Sequence, residues 1–214
     1  MELICFDLDD TLVKANRTHV IAFKKAFKKN MLPKKTSKEI LKQFSQESSV
    51  LVQKLYPTLT KKQRETVVQD HDYFVITQTA KYMHCFPRVK ETLKKLKKKY
   101  KIAILSNAKH KEICATLQHV KIKENYFDLI IGNDDVTHPK PAPDEMIKAE
   151  QLLKIKKGYM VGDSIYDVRA GNKAGLKTIA VLTGNHSRKE LKKEKPWKII
   201  KSLKELPKIL EIFK

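Results

Sequence analysis

Short apolar runs alternate with segments of helical periodicity over much of this 214-residue chain. Runs of three to six apolar residues bounded by polar ones are typical of buried strands. The predicted strands are Leu3–Leu8, Ile102–Leu105, Leu129–Ile131, Tyr159–Val161 and Thr178–Leu182. The predicted helices between the later strands are Pro87–Lys99, Lys109–His119, Pro143–Leu153 and Ile165–Ala174. Strands and helices that alternate in this way indicate an α/β protein with a parallel sheet and helices on both faces.

A long helical segment separates the first predicted strand from the second. All six glycines lie beyond residue 131, so the stretch from 13 to 83 has none. Apolar residues recur there at helical spacing, and Pro33 and Pro57 mark joints between three helices. The periodic positions are Val20, Phe23, Phe27 and Met31, then Ile40, Leu41, Phe44, Leu51 and Leu55, and the third helix covers Lys61–Ala80. We therefore predict a core of residues 1–13 and 84–214 with a helical cap of residues 14–83.

The basic composition changes this picture little. The formal net charge is +21, and only five of the 45 basic residues are arginine. Lysine is a solvated point charge, whereas arginine is the residue that reads bases and grips phosphate. The lysine surplus is first a property of the surface, and the sharper alternatives are attraction of anionic substrates or loose binding of nucleic acid. The last segment, from Lys189, is also basic, but Trp197, Ile199, Ile200 and Leu203 indicate that it packs on the core.

Cysteine usage and hydropathy indicate a cytoplasmic protein. The three cysteines are far apart and odd in number, which argues against a disulfide scaffold and for a reducing compartment. No apolar run approaches the ~18 residues that a membrane span needs. We expect no membrane partner, and a monomer or a homodimer. Three histidines of the helical segment and its border, His19, His71 and His84, lack metal-ligand spacing and are expected to be surface or packing residues.

Two polar clusters follow the first two predicted strands. Asp7, Asp9, Asp10 and Thr11 come at the end of the first strand, where acids either form a turn or do chemistry. Two carboxylates two positions apart can divide the work, since one can attack while the other acts as acid and base. The pair Ser106-Asn107 follows the second strand and suits either a helix N-cap or a cradle for an oxyanion.

Two more clusters follow later strands. Lys140 lies between two prolines, Pro139 and Pro141, and such bracing suits an ammonium that must meet a fixed anion. Asp163 and Asp167 flank a strand-to-helix turn that begins at Gly162, and their oxygens are the donors that Mg²⁺ prefers. Because ligands bind at the carboxyl ends of parallel strands, we expect all four clusters to converge there.

In this order, the four clusters resemble the motifs of the haloacid dehalogenase superfamily of phosphohydrolases. Asp-Leu-Asp-Asp-Thr at 7–11 matches the first motif, Ser106 the second, Lys140 the third and Gly-Asp-x-x-x-Asp at 162–167 the fourth. The helical insert is similar to the small cap of the phosphoglycolate phosphatase and β-phosphoglucomutase branch. The resemblance covers essentially the whole chain, and it implies a Rossmann-like parallel sheet with helices on both faces and an inserted helical cap. Asp10 departs from the pattern, since many relatives have glycine there.

The resemblance also implies roles for the acids. Asp7 would be the nucleophile and form an aspartyl-phosphate, and Asp9 would protonate the leaving group and then activate water. Mg²⁺ would be the cofactor, held by the carboxylates of Asp7 and Asp163 and by the backbone carbonyl of Asp9. Asp167 would act beside the metal, by orienting Lys140 or a metal-bound water.

The remaining roles concern the substrate, a small phosphorylated metabolite. Ser106 and Lys140 would hold the phosphoryl group, with the backbone N–H of Asn107, and Thr11 would fix the first loop. Arg17, with Lys14, is a candidate for contact with the far end of the substrate. The cap carries 15 lysines and arginines against five acids, which we expect to attract phosphorylated anions.

The residues leave other functions open. A phosphomutase uses the same nucleophile but returns the phosphoryl group to a sugar. A phosphatase acting on nucleotides or pyrophosphate has the same motifs. A basic nucleic-acid-binding module is the alternative outside enzymes, and it is the weakest, since acids at four strand ends would repel phosphates without a metal.

Overall fold

A six-stranded parallel sheet forms the centre of the molecule in the computed structural model, which describes residues 1–212. The predicted α/β fold is confirmed. In space the strands lie in the order β5-β4-β1-β6-β7-β8, so the first strand is central. The strands are β1 (Glu2–Phe6), β4 (Tyr100–Leu105), β5 (Leu129–Ile131), β6 (Gly158–Gly162), β7 (Lys177–Val181) and β8 (Lys198–Ile200). The short strands β2 (Val13–Lys14) and β3 (His84–Cys85) form a separate antiparallel ribbon.

Both faces of the sheet are buried by helices. Alternate residues of β1 point to opposite faces, so Ile4 and Phe6 join one core cluster while Leu3 and Cys5 join the other. The larger cluster includes residues of helices α5 (Val89–Leu96), α6 (His110–His119) and α10 (Leu206–Ile212). The smaller cluster includes residues of helices α7 (Asp144–Leu153) and α8 (Ile165–Lys173). A further helix, α9 (Arg188–Lys193), packs Leu191 against Val168 and Ala180.

The helical insertion leaves and rejoins the sheet through the β2–β3 ribbon. It consists of α1 (Asn16–Lys29), α2 (Ser37–Leu41), α3 (Ser48–Leu55) and α4 (Lys61–Phe74), then a π-helical turn (Val75–Thr79) and a 3₁₀ turn (Ala80–Tyr82). Phe23, Phe27, Ile40 and Leu51 belong to its own apolar cluster. Thr60 begins α4 by accepting a hydrogen bond from the backbone N–H of Gln63. The exact division at residues 14 and 83 stays a prediction.

The predicted continuous second helix is wrong. The segment between Pro33 and Pro57 contains two helices, and the chain breaks between them at Ser45, whose φ of 69° lies in the left-handed region. The predicted third helix also changes character after Phe74, where the chain winds into the π-helical turn. Helical spacing of apolar residues continued across the first break, because Phe44 and Leu51 pack in the same cluster from either side of it.

The basic C-terminal segment packs on the core, as predicted, and also supplies a strand that we did not predict. Strand β8 pairs with β7, with Ala180 opposite Ile199. The segment then buries Leu203, Leu206 and Leu210 in the larger core cluster. No helix within residues 1–212 is long and apolar enough to cross a membrane.

Removal of the Leu206 side chain tests how far the C-terminal segment stabilises the core. Leu206 is fully buried, so Leu206→Ala leaves a cavity and is expected to lower the free energy of unfolding by about 2–5 kcal/mol. Urea denaturation measures the loss. The matched control is Leu152→Ala, because Leu152 is 57% exposed, and its change is expected to stay within about 0.5 kcal/mol. Equal effects in the two variants would contradict a core role for this segment.

Candidate active site

The carboxyl edge of the sheet gathers the predicted residues. Asp7 follows β1, Ser106 follows β4 and Asp163 follows β6, and these three strands are neighbours. Lys140 arrives from the loop between β5 and α7, and its ammonium lies 2.7 Å from Asp7 Oδ1. The four clusters of the sequence therefore come together at one place, because parallel strands place their carboxyl ends at the same edge.

Lys140 is the central cation of the site. Its Nζ donates hydrogen bonds to Asp7 Oδ1 at 2.7 Å, Asp167 Oδ1 at 2.7 Å and the Leu105 carbonyl at 2.9 Å. All three protons of the buried ammonium are thus satisfied. Burial opposes its charge, but Asp167 and Asp7 outweigh burial and raise the pKa of Lys140 well above its ordinary value. The lysine is a fixed positive charge.

Three buried acids crowd together beside this lysine. Asp7, Asp163 and Asp167 each present an oxygen within 4.8 Å of the others. Asp163 Oδ1 accepts a hydrogen bond from Thr11 Oγ1 at 3.0 Å, whereas Asp163 Oδ2 is buried without a partner. Gly184 leaves the space that this oxygen occupies, since a Cβ there would lie 1.7 Å from Oδ2. An unpaired buried carboxylate oxygen is costly unless a cation completes it.

The pKa values of these acids reflect that missing charge. Burial raises the pKa of Asp7 to about 8, although Lys140 lowers it in part. Burial and the carboxylates of Asp7 and Asp167 raise the pKa of Asp163 well above its ordinary value. A divalent cation held by these oxygens would favour the ionised forms, and oxygen ligands suit Mg²⁺. The donor set therefore fits the predicted metal.

Asp167 is fixed by the helix that follows it. Its Oδ2 accepts hydrogen bonds from the backbone N–H and the hydroxyl of Ser164, at 3.0 and 2.6 Å, in a capping box that begins α8. Its Oδ1 meets Lys140. Since both oxygens have partners, Asp167 orients the lysine, and it can reach a metal only at the edge of the cluster.

The loop after β1 turns sharply at Asp10. The φ of Asp10 is 56°, in the left-handed region that favours glycine, which accounts for the family's usual residue there. Asp10 holds this turn with its own groups: Oδ1 accepts from the N–H of Ala15 at 3.2 Å, and its carbonyl accepts from Thr183 Oγ1 at 2.6 Å. Burial, with the Asp9 charge, raises the pKa of Asp10 to about 7.

Asp9 faces the helical insertion. Its Oδ2 lies 3.4 Å from Nε2 of His19, and its Oδ1 is buried without a partner. His19 also lies 3.9 Å from Glu112 and 3.1 Å from Nε2 of His71. Burial would lower the pKa of His19, but Asp9 and Glu112 outweigh it and raise this pKa to about 9. Burial raises the pKa of Glu112 to about 8, against the opposing charge of His19.

Ser106 and Asn107 join the two parts of the molecule. Ser106 Oγ accepts a hydrogen bond from the Ala108 N–H at 3.2 Å, as in a helix N-terminal turn. The Asn107 amide donates to the carbonyl of Ser45 in the insertion and to the carbonyl of Lys140, each at 3.1 Å. The side chain of Asn107, and not only its backbone, therefore belongs to the site.

Two predicted substrate contacts lie elsewhere. Thr11 is fully buried and donates to Asp163, so it positions an acid and does not line the cavity. Arg17 is exposed, and its guanidinium lies 4.4 Å from the ring centroid of Tyr82, outside the cavity. Its location does not support contact with the substrate.

Sequence reasoning missed three residues that line the cavity above Asp7: His19, His71 and Glu112. The histidines do pack, as expected, but they pack beside the catalytic edge. No spacing in the sequence links them, because His19 and His71 are 52 positions apart and meet only when α1 and α4 pack together. His84, in contrast, is exposed.

The site defines an α/β hydrolase in which acids and one buried ammonium surround a space for a cation and an anionic group. Residues 4–181 match the family model of haloacid dehalogenase-like hydrolases, and the chain belongs to that family. It is 31% identical over 187 residues to the phosphoglycolate phosphatase of Aquifex aeolicus, with 86% of each chain covered. It is 29% identical to the pyrophosphatase PpaX of Bacillus cereus, over 97% of this chain and 95% of the relative.

A solved structure agrees with this assignment. The haloacid dehalogenase-like hydrolase of Bacteroides fragilis superposes with a TM-score of 0.89 at 26% identity, over 95% of this chain and 98% of that one. The predicted family is thereby confirmed.

Neutralising Asp163 tests the crowding of acids. Asp163→Asn removes one of three close negative charges, so in EDTA it is expected to raise the melting temperature, by roughly 2–4 °C for each ~1 kcal/mol gained. Added Mg²⁺ is expected to stabilise the wild type but hardly the variant, because a ligand oxygen has lost its charge. Thermal melts with and without Mg²⁺ measure both effects.

Glu91→Gln is the control for this measurement, since it removes one negative charge at an exposed position of α5, outside the cavity. It is expected to melt like the wild type in both conditions. A lower melting temperature of Asp163→Asn in EDTA would contradict the idea that these acids repel one another.

Proposed function

We propose that the protein is a Mg²⁺-dependent phosphatase that hydrolyses a small phosphorylated metabolite through an aspartyl-phosphate on Asp7. One observation carries the proposal: the Asp7 carboxylate lies beside a buried ammonium and two further acids, at the mouth of an enclosed cavity. The named activities of the relatives, a phosphoglycolate phosphatase and a pyrophosphatase, support the same reaction class.

The first step transfers the phosphoryl group to Asp7. A carboxylate oxygen of Asp7 attacks phosphorus, and the bond from phosphorus to the ester oxygen breaks. Asp9 gives its proton to that leaving oxygen, so the product is a free alcohol. The partnerless Oδ1 of Asp9, which lines the cavity, supports this role.

The second step restores the enzyme. Asp9, now ionised, takes a proton from water while the water oxygen attacks phosphorus and the bond to Asp7 breaks. Inorganic phosphate leaves, and Asp9 is protonated again. His19, 3.4 Å from Asp9, holds this carboxyl toward the cavity in both steps.

Asp7 and Asp163 would hold Mg²⁺, with the Asp9 backbone carbonyl, and Asp167 would lie next to it. When bound, the ion supplies positive charge that lessens repulsion between Asp7 and the phosphate and polarises a phosphoryl oxygen. Lys140 supplies a second positive charge close to the nucleophile, and Ser106 supplies a hydroxyl on the same edge.

The enclosed site fits a reaction that must control water. Residues of the insertion, among them Phe23, Phe44 and Leu51, cover the carboxyl edge of the sheet. Such cover excludes water during attack and must open for exchange of substrate and product. All three cysteines are free thiols, which fits our further proposal that the enzyme works in the reducing cytoplasm.

Loss of the nucleophile is the direct test. Asp7→Asn removes the attacking charge but nearly keeps the shape, so hydrolysis of p-nitrophenyl phosphate with Mg²⁺ is expected to fall at least about 1,000-fold. EDTA is expected to abolish the activity of the wild type, and Mg²⁺ to restore it. Phosphate release, measured by colour, gives the rates.

The control is again Glu91→Gln, which is expected to keep wild-type rates. Mass spectrometry after acid quench is expected to detect a phosphoryl adduct on Asp7 in the wild type, and none in Asp7→Asn. Activity that survives in Asp7→Asn would overturn the mechanism. Formation of an isomerised sugar phosphate in place of free phosphate would select the phosphomutase.

A further inference from the structure

The cavity above Asp7 has walls of unusual composition for so basic a protein. The insertion contributes apolar surface from Phe23, Phe44 and Leu51 and polar side chains without charge from Ser45, Gln46 and Ser48. The last three lie at the break between α2 and α3. The helix break therefore presents hydroxyl and amide groups to whatever part of a substrate lies beyond the phosphoryl group.

No cation of the insertion reaches this space. Among the residues of 1–212 that line the cavity, Lys140 is the one lysine or arginine, and it is bound to Asp7 and Asp167. The 15 basic residues between 14 and 83 all lie outside the lining. Our expectation that they attract phosphorylated anions therefore does not extend to a contact inside the site.

The two histidines of the wall are already engaged with acids. His19 lies between Asp9 at 3.4 Å and Glu112 at 3.9 Å. His71 contacts His19 on one ring nitrogen and Asp72 Oδ1, at 3.0 Å, on the other. Glu112 adds a carboxyl group to the wall itself. Any positive charge on these rings is matched by protein carboxylates, which leaves none for an anionic ligand.

We infer that the group released by this enzyme is a small, uncharged alcohol that carries hydroxyl groups, and not a carboxylate or a second phosphate. The inference rests on the proposed phosphatase function and names the class of its substrate: phosphate monoesters of small polyols or sugars. Relatives named for phosphoglycolate and pyrophosphate act on molecules whose leaving groups are anions, so this chain would differ from them in selectivity.

Charge and size both lead to this class. A carboxylate or phosphate placed beside Glu112 and Asp9 would have no partner cation, and unmatched like charges in a desolvated site cost several kcal/mol. A hydroxyl group can exchange hydrogen bonds with Ser45, Gln46, Ser48 or Glu112 in either direction. The cavity of about 80 Å³ is far smaller than the ~300–1,000 Å³ of pockets for drug-sized ligands, which excludes a nucleoside.

A matched pair of substrates tests the inference. 2-Hydroxyethyl phosphate and 2-phosphoglycolate are nearly equal in size, but the leaving group of the first ends in a hydroxyl and that of the second in a carboxylate. The full-length enzyme with Mg²⁺ at pH 7.5 is expected to give a kcat/KM at least about tenfold higher for 2-hydroxyethyl phosphate than for 2-phosphoglycolate or pyrophosphate. Phosphoethanolamine, with an ammonium in that place, is expected to be the poorer substrate of the uncharged and cationic pair.

Adding a cation to the wall tests the cause. Ser48→Lys places an ammonium at the cavity, and it is expected to raise kcat/KM for 2-phosphoglycolate relative to 2-hydroxyethyl phosphate by about tenfold. The matched control is Ser49→Lys, which adds the same charge at the next position, outside the lining, where the Ser49 hydroxyl binds Glu47. The control is expected to keep the wild-type ratio.

The outcomes separate this inference from the proposed function. Without Mg²⁺-dependent hydrolysis of p-nitrophenyl phosphate, the phosphatase proposal fails, and this inference fails with it. With that hydrolysis present, a preference for phosphoglycolate, pyrophosphate or phosphoethanolamine overturns the inference alone. An unchanged ratio in Ser48→Lys, or an equal change in Ser49→Lys, refutes the missing cation as the cause.

Discussion

The bridge from Lys140 to Asp7 and Asp167 is the interaction on which the site depends. A buried ammonium is tolerated because two carboxylates and a carbonyl take all of its protons. The same bridge leaves the third acid, Asp163, without a cation for Oδ2. One lysine cannot balance three acids, so the folded chain retains an excess of negative charge at the place where a divalent ion fits. The acids thus stabilise the loaded state at the cost of the empty one.

The sheet and its catalytic edge could be predicted because they depend on local pattern. Apolar runs fixed five strands, and the parallel order placed the acids after β1 and β6 beside one another. Strand β8 escaped prediction, because it is three residues long and starts at a lysine. The break at Ser45 escaped as well, since a single left-handed residue leaves the apolar spacing on either side undisturbed.

Charge separates the outside of this protein from its inside. The surface carries most of the lysines, whereas the cavity has acids, histidines and neutral polar groups and only Lys140 among the lysines and arginines of residues 1–212. Composition therefore describes how the molecule meets solvent and distant anions, and it gives no guide to the contacts within the site. The wall depended on long-range packing, such as that between His19 and His71, which no spacing in the sequence records.

Contacts between the insertion and the sheet also link the position of the cap to the state of Asp9. Asn107 binds the Ser45 carbonyl, Lys109 binds Asp72 at 2.8 Å, and His19 lies against Asp9. Since each contact has one partner on either side, a cap that opens must break all three together. Opening would remove the histidine that holds Asp9 and would also admit water to the Asp7 edge. Cover and proton transfer are therefore coupled by geometry, and the acid is held in place only while the cavity is closed.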